Sequence, residues 1–313
     1  MRVAVVGMGS IGRSWTISFL RAGFDVSVWN RNESVIDEAL VSIESALSEL
    51  ADKGLLNGQR PHILMNRIQR CETLADAVKG AAYVQENVTE RLDVKQMVFQ
   101  QMDASTKTDA ILATSTSGIV PSAFTERLRS RDRCIVAHPL NPPYLIPVVD
   151  IVPSPWTSRE TIAKTLEIMK MCWQKPILMQ REDPGFITIR LQAMMYHECW
   201  RLVKSGLATP EDVDVAVREG LGLRWSFIGP FETADLNAPG GIRDFVARFG
   251  EYLKALYPND GPVEWSGDLL DRVEQARRSE LPLERLKTRQ TWRDRRLLAL
   301  AAHKKEQSDE ELQ

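Results

Sequence analysis

What this chain of 313 residues has little of excludes several roles at once. It holds four cysteines, Cys71, Cys134, Cys172 and Cys199, and no two of them form a C-x-x-C pair. Such spacing suggests neither a zinc site nor a disulfide framework, so buried thiols in a reducing compartment are expected, and no metal. No apolar run approaches the roughly 20 residues of a membrane span. The run Val3-Ala-Val-Val after Met1-Arg2 is too short for a signal peptide. A cytoplasmic protein without a membrane partner is expected. The formal net charge of −2 gives no basic field for nucleic acid. The one basic cluster is Arg289, Trp292, Arg293, Arg295 and Arg296, leading into Leu297, Leu298 and Leu300. It reads as an amphipathic helix. Repeats and low-complexity tracts are absent.

What is present suits a soluble protein with a full core: 43% of residues are hydrophobic and 26% charged. The length suits two domains. Val3 to Val6 reads as a strand buried on both faces. Gly7-Met8-Gly9-Ser10-Ile11-Gly12 follows it and fits G-x-G-x-x-G. A helical pattern runs from Ile11 to Ala22, stops at Gly23, and gives way to a second strand, Asp25 to Trp29. In this context the glycines have separate tasks. The first makes a tight turn, the second lets a pyrophosphate approach the backbone, and the third packs helix on strand. The helix N-terminus adds amide donors for phosphate.

Further apolar runs at 82–84, 110–113 and 135–137 alternate with helical stretches such as 92–102. They predict an α/β fold, a Rossmann-like doubly wound parallel sheet. After Pro184-Gly185 the pattern becomes helical, starting with Phe186 to Lys204. The predicted division is a dinucleotide-binding domain over 1–185 and an all-α domain over 186–313.

An acidic residue after the second strand would bond the adenosine ribose and repel a 2′-phosphate. Here stand Asn30 and Arg31. Arg31 can pair with a 2′-phosphate, or stack on adenine with NAD bound. NAD or NADP is therefore expected, with a lean toward NADP acceptance. Farther along, Ser115-Thr-Ser117-Gly118 follows a strand at the sheet edge where ligands sit. His138-Pro-Leu-Asn141-Pro-Pro-Tyr sets an imidazole beside a rigid turn, before an apolar strand that ends in Asp150. An imidazole whose second nitrogen meets a carboxylate is equipped to move protons.

The glycine turn, T-S-T-S, A-H-P-L-N-P-P-Y, D-P-G-F-I and E-G-L-G-L-R-W-S-F-I-G-P-F-E-T together resemble the 3-hydroxyacyl-CoA dehydrogenase superfamily. The resemblance is greatest to the branch that contains L-gulonate 3-dehydrogenase and lambda-crystallin. It extends from Gly7 to R-Q-T-W-R-D near residue 294. It implies that His138 is the general base, that Asp150 orients it and that Ser117 bonds the reacting oxygen. It also implies that Asn141, Glu90 and Lys95 lie near the nicotinamide end, and that the helical domain carries a homodimer contact.

Three positions depart from the family's pattern. Asn30 replaces an acidic residue, Asp150 a glutamate, and Ile189 an asparagine that makes a polar contact in the active site. An isoleucine side chain cannot hydrogen-bond, so a less hydroxylated substrate is expected at Ile189. Arg224 resembles the gulonate-like branch and offers a fork for a free carboxylate. A small free 3-hydroxy acid is thus the expected substrate. A CoA thioester, a carnitine-type substrate, or a non-catalytic crystallin-like role stand as alternatives. His197-Glu198 opens like H-E-x-x-H, but Arg201 occupies the second histidine's place, so His197 reads as structural. Trp200 reads as core.

Overall fold

The computed structural model describes residues 1–226 and 229–237, then single residues and short runs between 245 and 306. For residues 223, 224, 232, 235 and 236 only the backbone is described. By compactness the chain divides into two units, Met1–Arg190 with Thr291–Gln313, and Leu191–Gln290.

The first unit is built on eight strands: β1 (Arg2–Val6), β2 (Asp25–Trp29), β3 (Ile68–Arg70), β4 (Tyr83–Glu86), β5 (Ile111–Thr114), β6 (Cys134–Pro139), β7 (Val148–Pro153) and β8 (Lys175–Leu178). They form one sheet in the order β3-β2-β1-β4-β5-β6-β7-β8. Successive side chains of a strand point to opposite faces. Accordingly Val3 and Val5 join a core cluster with Trp15, Phe19 and Ile43, while Ala4 and Val6 join another with Val98, Phe99 and Met102. Leu298, from the basic segment near the C-terminus, is buried in the first of these clusters. Arg295 is exposed, and Arg289, Trp292, Arg293, Arg296 and Leu297 lie outside the described residues.

Helices flank the sheet because their apolar residues recur every three or four positions. In Glu33–Asp52 the buried set is Ile36, Ala39, Ile43, Leu47 and Leu50. Its N-terminus is capped by Asn32, whose side chain accepts from the Ser34 amide. The helix Ser10–Arg21 stops before Gly23, which takes the left-handed conformation at φ +80°.

The sheet is parallel except where β7 runs antiparallel to β6. This departs from the all-parallel expectation, and the reason lies in the link between them. A parallel return needs a crossover of about a dozen residues or more. Residues 140–147 are too few, and Pro142, Pro143 and Pro147 bar a helix there. The chain must double back. It does so through a cis peptide at Asn141-Pro142. Asp150 then lies inside β7 rather than at its end, and β8 extends the sheet beyond the strands read from sequence.

In the second unit the described elements are helical. They comprise residues 191–204 of the helix Phe186–Lys204, then Pro210–Val215, a π-helical turn Ala216–Leu221, Gly222–Trp225 and Pro230–Leu236. Thr209 and Asp212 form a reciprocal capping box. Val203 and Val213 make a small core with Trp200, Leu202 and Cys199 against it. Among the described residues of this unit there is no strand. No described helix is long and apolar enough to cross a membrane.

Candidate active site

In an open parallel sheet, ligands sit at the carboxyl ends of strands where the strand order reverses. Here that point lies between β1 and β4. The glycine turn occupies it. Gly7 takes φ +91°, and a Cβ there would meet the Asn87 carbonyl oxygen at 2.8 Å. A Cβ on Gly12 would lie 1.8 Å from the Gly7 carbonyl oxygen, so only glycine lets the helix pack there. Among the described residues nothing lies within 4 Å of a Cβ built on Gly9. Gly9 is also the N-cap of the helix Ser10–Arg21, and no side chain caps that end. The Gly9 side of the turn therefore fits the approach of a pyrophosphate to backbone amides.

Asn30 is engaged with this turn. Its Oδ1 accepts from the Met8 amide at 3.1 Å, and its Nδ2 donates to the Asn32 carbonyl at 2.9 Å. Ser10 is exposed and Ile11 half-buried, while Arg31 is exposed beyond the end of β2.

The second group stands on β6 and β7. Their antiparallel register pairs His138 directly with Asp150. His138 is 4% exposed and Asp150 0%. His138 Nδ1 and Asp150 Oδ2 are 3.2 Å apart. The shorter side chain of aspartate thus reaches the imidazole directly, because cross-strand neighbours start close. Thr188 joins them: its amide donates to Asp150 Oδ2 at 3.3 Å and its hydroxyl at 2.5 Å. Phe186 fixes that approach. It is fully buried against Val136 and Val152, with its ring centroid 5.6 Å from that of His138. Its φ of +50° follows Gly185 at +80°, an unusual backbone held by this packing.

A third group stands at the ends of β4 and β5. Lys95 is 1% exposed and Glu86 0%, with Lys95 Nζ 3.1 Å from Glu86 Oε2 and 3.3 Å from Glu90 Oε2. Thr114 donates to Glu86 Oε2 at 2.5 Å, and the Val88 amide to Oε1 at 2.5 Å. Glu90 in turn gathers the serine turn: its Oε1 accepts from the Thr116 hydroxyl at 2.5 Å and the Ser117 amide at 2.8 Å. Burial works against the charge of Glu90. The Thr116 hydrogen bond, Lys95 and the Ser117 amide outweigh it, so the carboxyl is held below its ordinary range.

Family models match this chain twice: the NAD binding domain of 3-hydroxyacyl-CoA dehydrogenase over residues 2–182, and its C-terminal domain over 185–266. The chain belongs to the 3-hydroxyacyl-CoA dehydrogenase family. It is similar to the lambda-crystallin homolog of Bos taurus, 40% identical over 303 residues, covering 96% of this chain and 94% of that one. It is also similar to the L-carnitine dehydrogenase of Pseudomonas putida, 36% identical over 304 residues, covering 95% and 92%. Among solved structures it resembles an NAD+-dependent dismutase, a 5-dehydrogenase of a pyridine carboxylic acid, with TM-score 0.81, 25% identity and 96% of each chain covered.

Set on the 3-hydroxyacyl-CoA dehydrogenase fold, the residues expected from sequence fall into separate groups. His138 meets Asp150, while Glu90 meets Lys95 and the amide of Ser117. Ser117 itself is exposed, and so is Asn141. Ile189 is half-buried one residue beyond Thr188. Arg224 falls on the helix Gly222–Trp225, but its side chain lies outside the described residues.

Sequence reasoning missed Glu86 and Thr188, and within the serine turn it singled out Ser117 and not Ser115. Glu86 carried a signal, a carboxylate closing the buried run of β4. Ser115, rather than Ser117, is the interior node of its turn. It accepts from Trp15 Nε1 at 3.0 Å and Gln85 Nε2 at 2.8 Å, and donates to Asn87 Oδ1 at 2.7 Å. Three of the four cysteines are buried. Burial pushes the Cys134 thiol up to about 12. Glu198 forks with Arg201. Among the described residues no cluster of potential metal ligands gathers.

Proposed function

We propose that the chain is a cytoplasmic, homodimeric NAD(P)-dependent dehydrogenase that interconverts a small free 3-hydroxy carboxylic acid and its 3-keto acid. The buried His138–Asp150 pair, 3.2 Å apart on paired strands of a dinucleotide-binding sheet, carries this reading. The bound nicotinamide supplies the hydride acceptor. Gly7, Met8, Gly9, Ser10, Ile11 and Gly12 hold its pyrophosphate, while Glu90, Lys95 and Asn141 order the nicotinamide end. Lys95 acts from behind Glu90, because it is itself buried.

Asp150 on Nδ1 leaves the other ring nitrogen of His138 to take the hydroxyl proton, and it stabilises the imidazolium that forms. The Ser117 hydroxyl bonds the reacting oxygen. Arg224 forks onto the substrate carboxylate and Ile189 lines an apolar part of the site. Residues 1–185 serve the cofactor, and residues 186–313 the substrate and the dimer. With Asn30 neutral and spent on Met8, nothing at that position repels a 2′-phosphate, and Arg31 beside it favours NADP acceptance.

A carnitine-type substrate is the second reading, favoured by the 36% identity to an L-carnitine dehydrogenase. L-Carnitine is itself a free 3-hydroxy acid, so the same carboxylate site serves both. The test is reduced-nicotinamide absorbance with NAD and NADP against free 3-hydroxy acids, L-carnitine and 3-hydroxyacyl-CoA thioesters, with His138→Ala alongside. Turnover of a free acid, lost in the variant, is expected. Turnover of thioesters alone would overturn the substrate, and cofactor binding without any turnover would favour a crystallin-like role.

A further inference from the structure

The proton-transfer pair has a feature that its chemistry does not require. Asp150 Oδ2 takes every contact: His138 Nδ1, the Thr188 amide and the Thr188 hydroxyl. Its Oδ1 is buried without a hydrogen-bond partner among the described residues. A carboxylate bonded through one oxygen alone can turn about its last bond unless something holds it. The strand register brings Asp150 opposite His138 but does not by itself set which way the carboxylate turns. Thr188 removes the freedom, because its amide and hydroxyl converge on the same oxygen from the first turn of the helix Phe186–Lys204. The hydroxyl oxygen also lies 3.5 Å from His138 Nδ1, so carboxylate, hydroxyl and imidazole form one closed contact.

We infer that Thr188 is a positioning residue: it clamps one oxygen of Asp150 against His138 and thereby fixes the imidazole in the tautomer protonated on Nδ1. Only that tautomer presents a lone pair on Nε2 for a substrate hydroxyl. The clamp suits this chain's short carboxylate. An aspartate reaches His138 but carries no second contact of its own, and the helix turn provides it. Phe186, buried beside the imidazole, keeps that turn in place.

The inference rests on the proposed role of His138 as base, yet its first readout needs no turnover. Imidazole 15N shifts report the tautomer directly. With four histidines in the chain, His138→Asn assigns the His138 signals by their loss. In the wild type at alkaline pH, His138 should be almost wholly protonated on Nδ1. Thr188→Val, of equal shape but without the hydroxyl, should raise the other tautomer several-fold, and Thr188→Ser should restore the wild-type ratio. An unchanged ratio in Thr188→Val would overturn the clamp.

On an active substrate, Thr188→Val should lower kcat about tenfold with KM within twofold, and Thr188→Ser should recover it. If His138→Ala kept its turnover, the base assignment would fail, while the tautomer readout would still decide the clamp. If His138→Ala lost turnover while Thr188→Val changed neither tautomer nor kcat, the clamp alone would fail.

Discussion

The sheet carries two buried ionic groups, and they are built differently. At the ends of β4 and β5, both oxygens of Glu86 are partnered, by Lys95, Thr114 and the Val88 amide. On β6 and β7, one oxygen of Asp150 takes the donors and the other has no partner among the described residues. A buried network satisfied in full is rigid and specifies one arrangement, whereas a buried polar atom left unpaired carries a desolvation cost. The first group therefore acts as a scaffold that holds the serine turn through Glu90. The second is the pair that the proposed function uses for proton transfer, and its contacts converge on the one oxygen that Thr188 also holds. Both groups are buried, so the completeness of the hydrogen bonding, and not burial, is what distinguishes them.

The comparison breaks most visibly at Asp150. Asp150→Asn keeps the size of the side chain but offers the imidazole the wrong partner, and kcat should fall by roughly 10³–10⁴. Cofactor affinity, followed by quenching of protein fluorescence, should hold. A loss below tenfold would remove Asp150 from the chemistry. Lys95→Met is the matching change in the scaffold. It leaves Glu86 buried without its cation, and should cost about 3 kcal/mol in urea unfolding. An undiminished midpoint would mean that the ionic group contributes nothing to the fold.

A smaller effect separates scaffold from ligand site within the glycine turn. Gly9→Ala meets no atom of the described residues, so stability should stay within about 0.5 kcal/mol while cofactor Kd rises roughly tenfold. Gly12→Ala, whose new methyl would strike the Gly7 carbonyl, should unfold the turn and lower the melting temperature. Equal behaviour of the two variants would contradict the division of tasks among these glycines.

The smallest effect is electrostatic. The Glu90 carboxyl is held below its ordinary value of 4.5 in the folded chain. It therefore contributes stability that is present above about pH 4.5 and is lost as pH falls through its lower folded value. Glu90 is half exposed, which keeps the contribution modest. Urea midpoints of the wild type and Glu90→Gln should differ at pH 6 and converge toward pH 3. A gap independent of pH would assign the loss to packing instead.

Periodicity and turn chemistry act over a few residues, so the sequence by itself determined whatever depends on them. The β-turn-α-β start, the second strand Asp25–Trp29 and the helix Phe186–Lys204 were all legible, as was the family. Longer contacts were not. The antiparallel β7 follows from the short link 140–147 only once β6 and β7 are known to be neighbours. That reversal moved Asp150 from the end of a strand to the position opposite His138. Asn30 read as a missing acid, while its bond to the Met8 amide needed the first two strands side by side. Thr188 gave no local signal, since its partner stands 38 residues earlier. Local rules set which elements form. Only the tertiary structure decided which side chains meet, because register and chain reversal bring together residues that no local pattern relates.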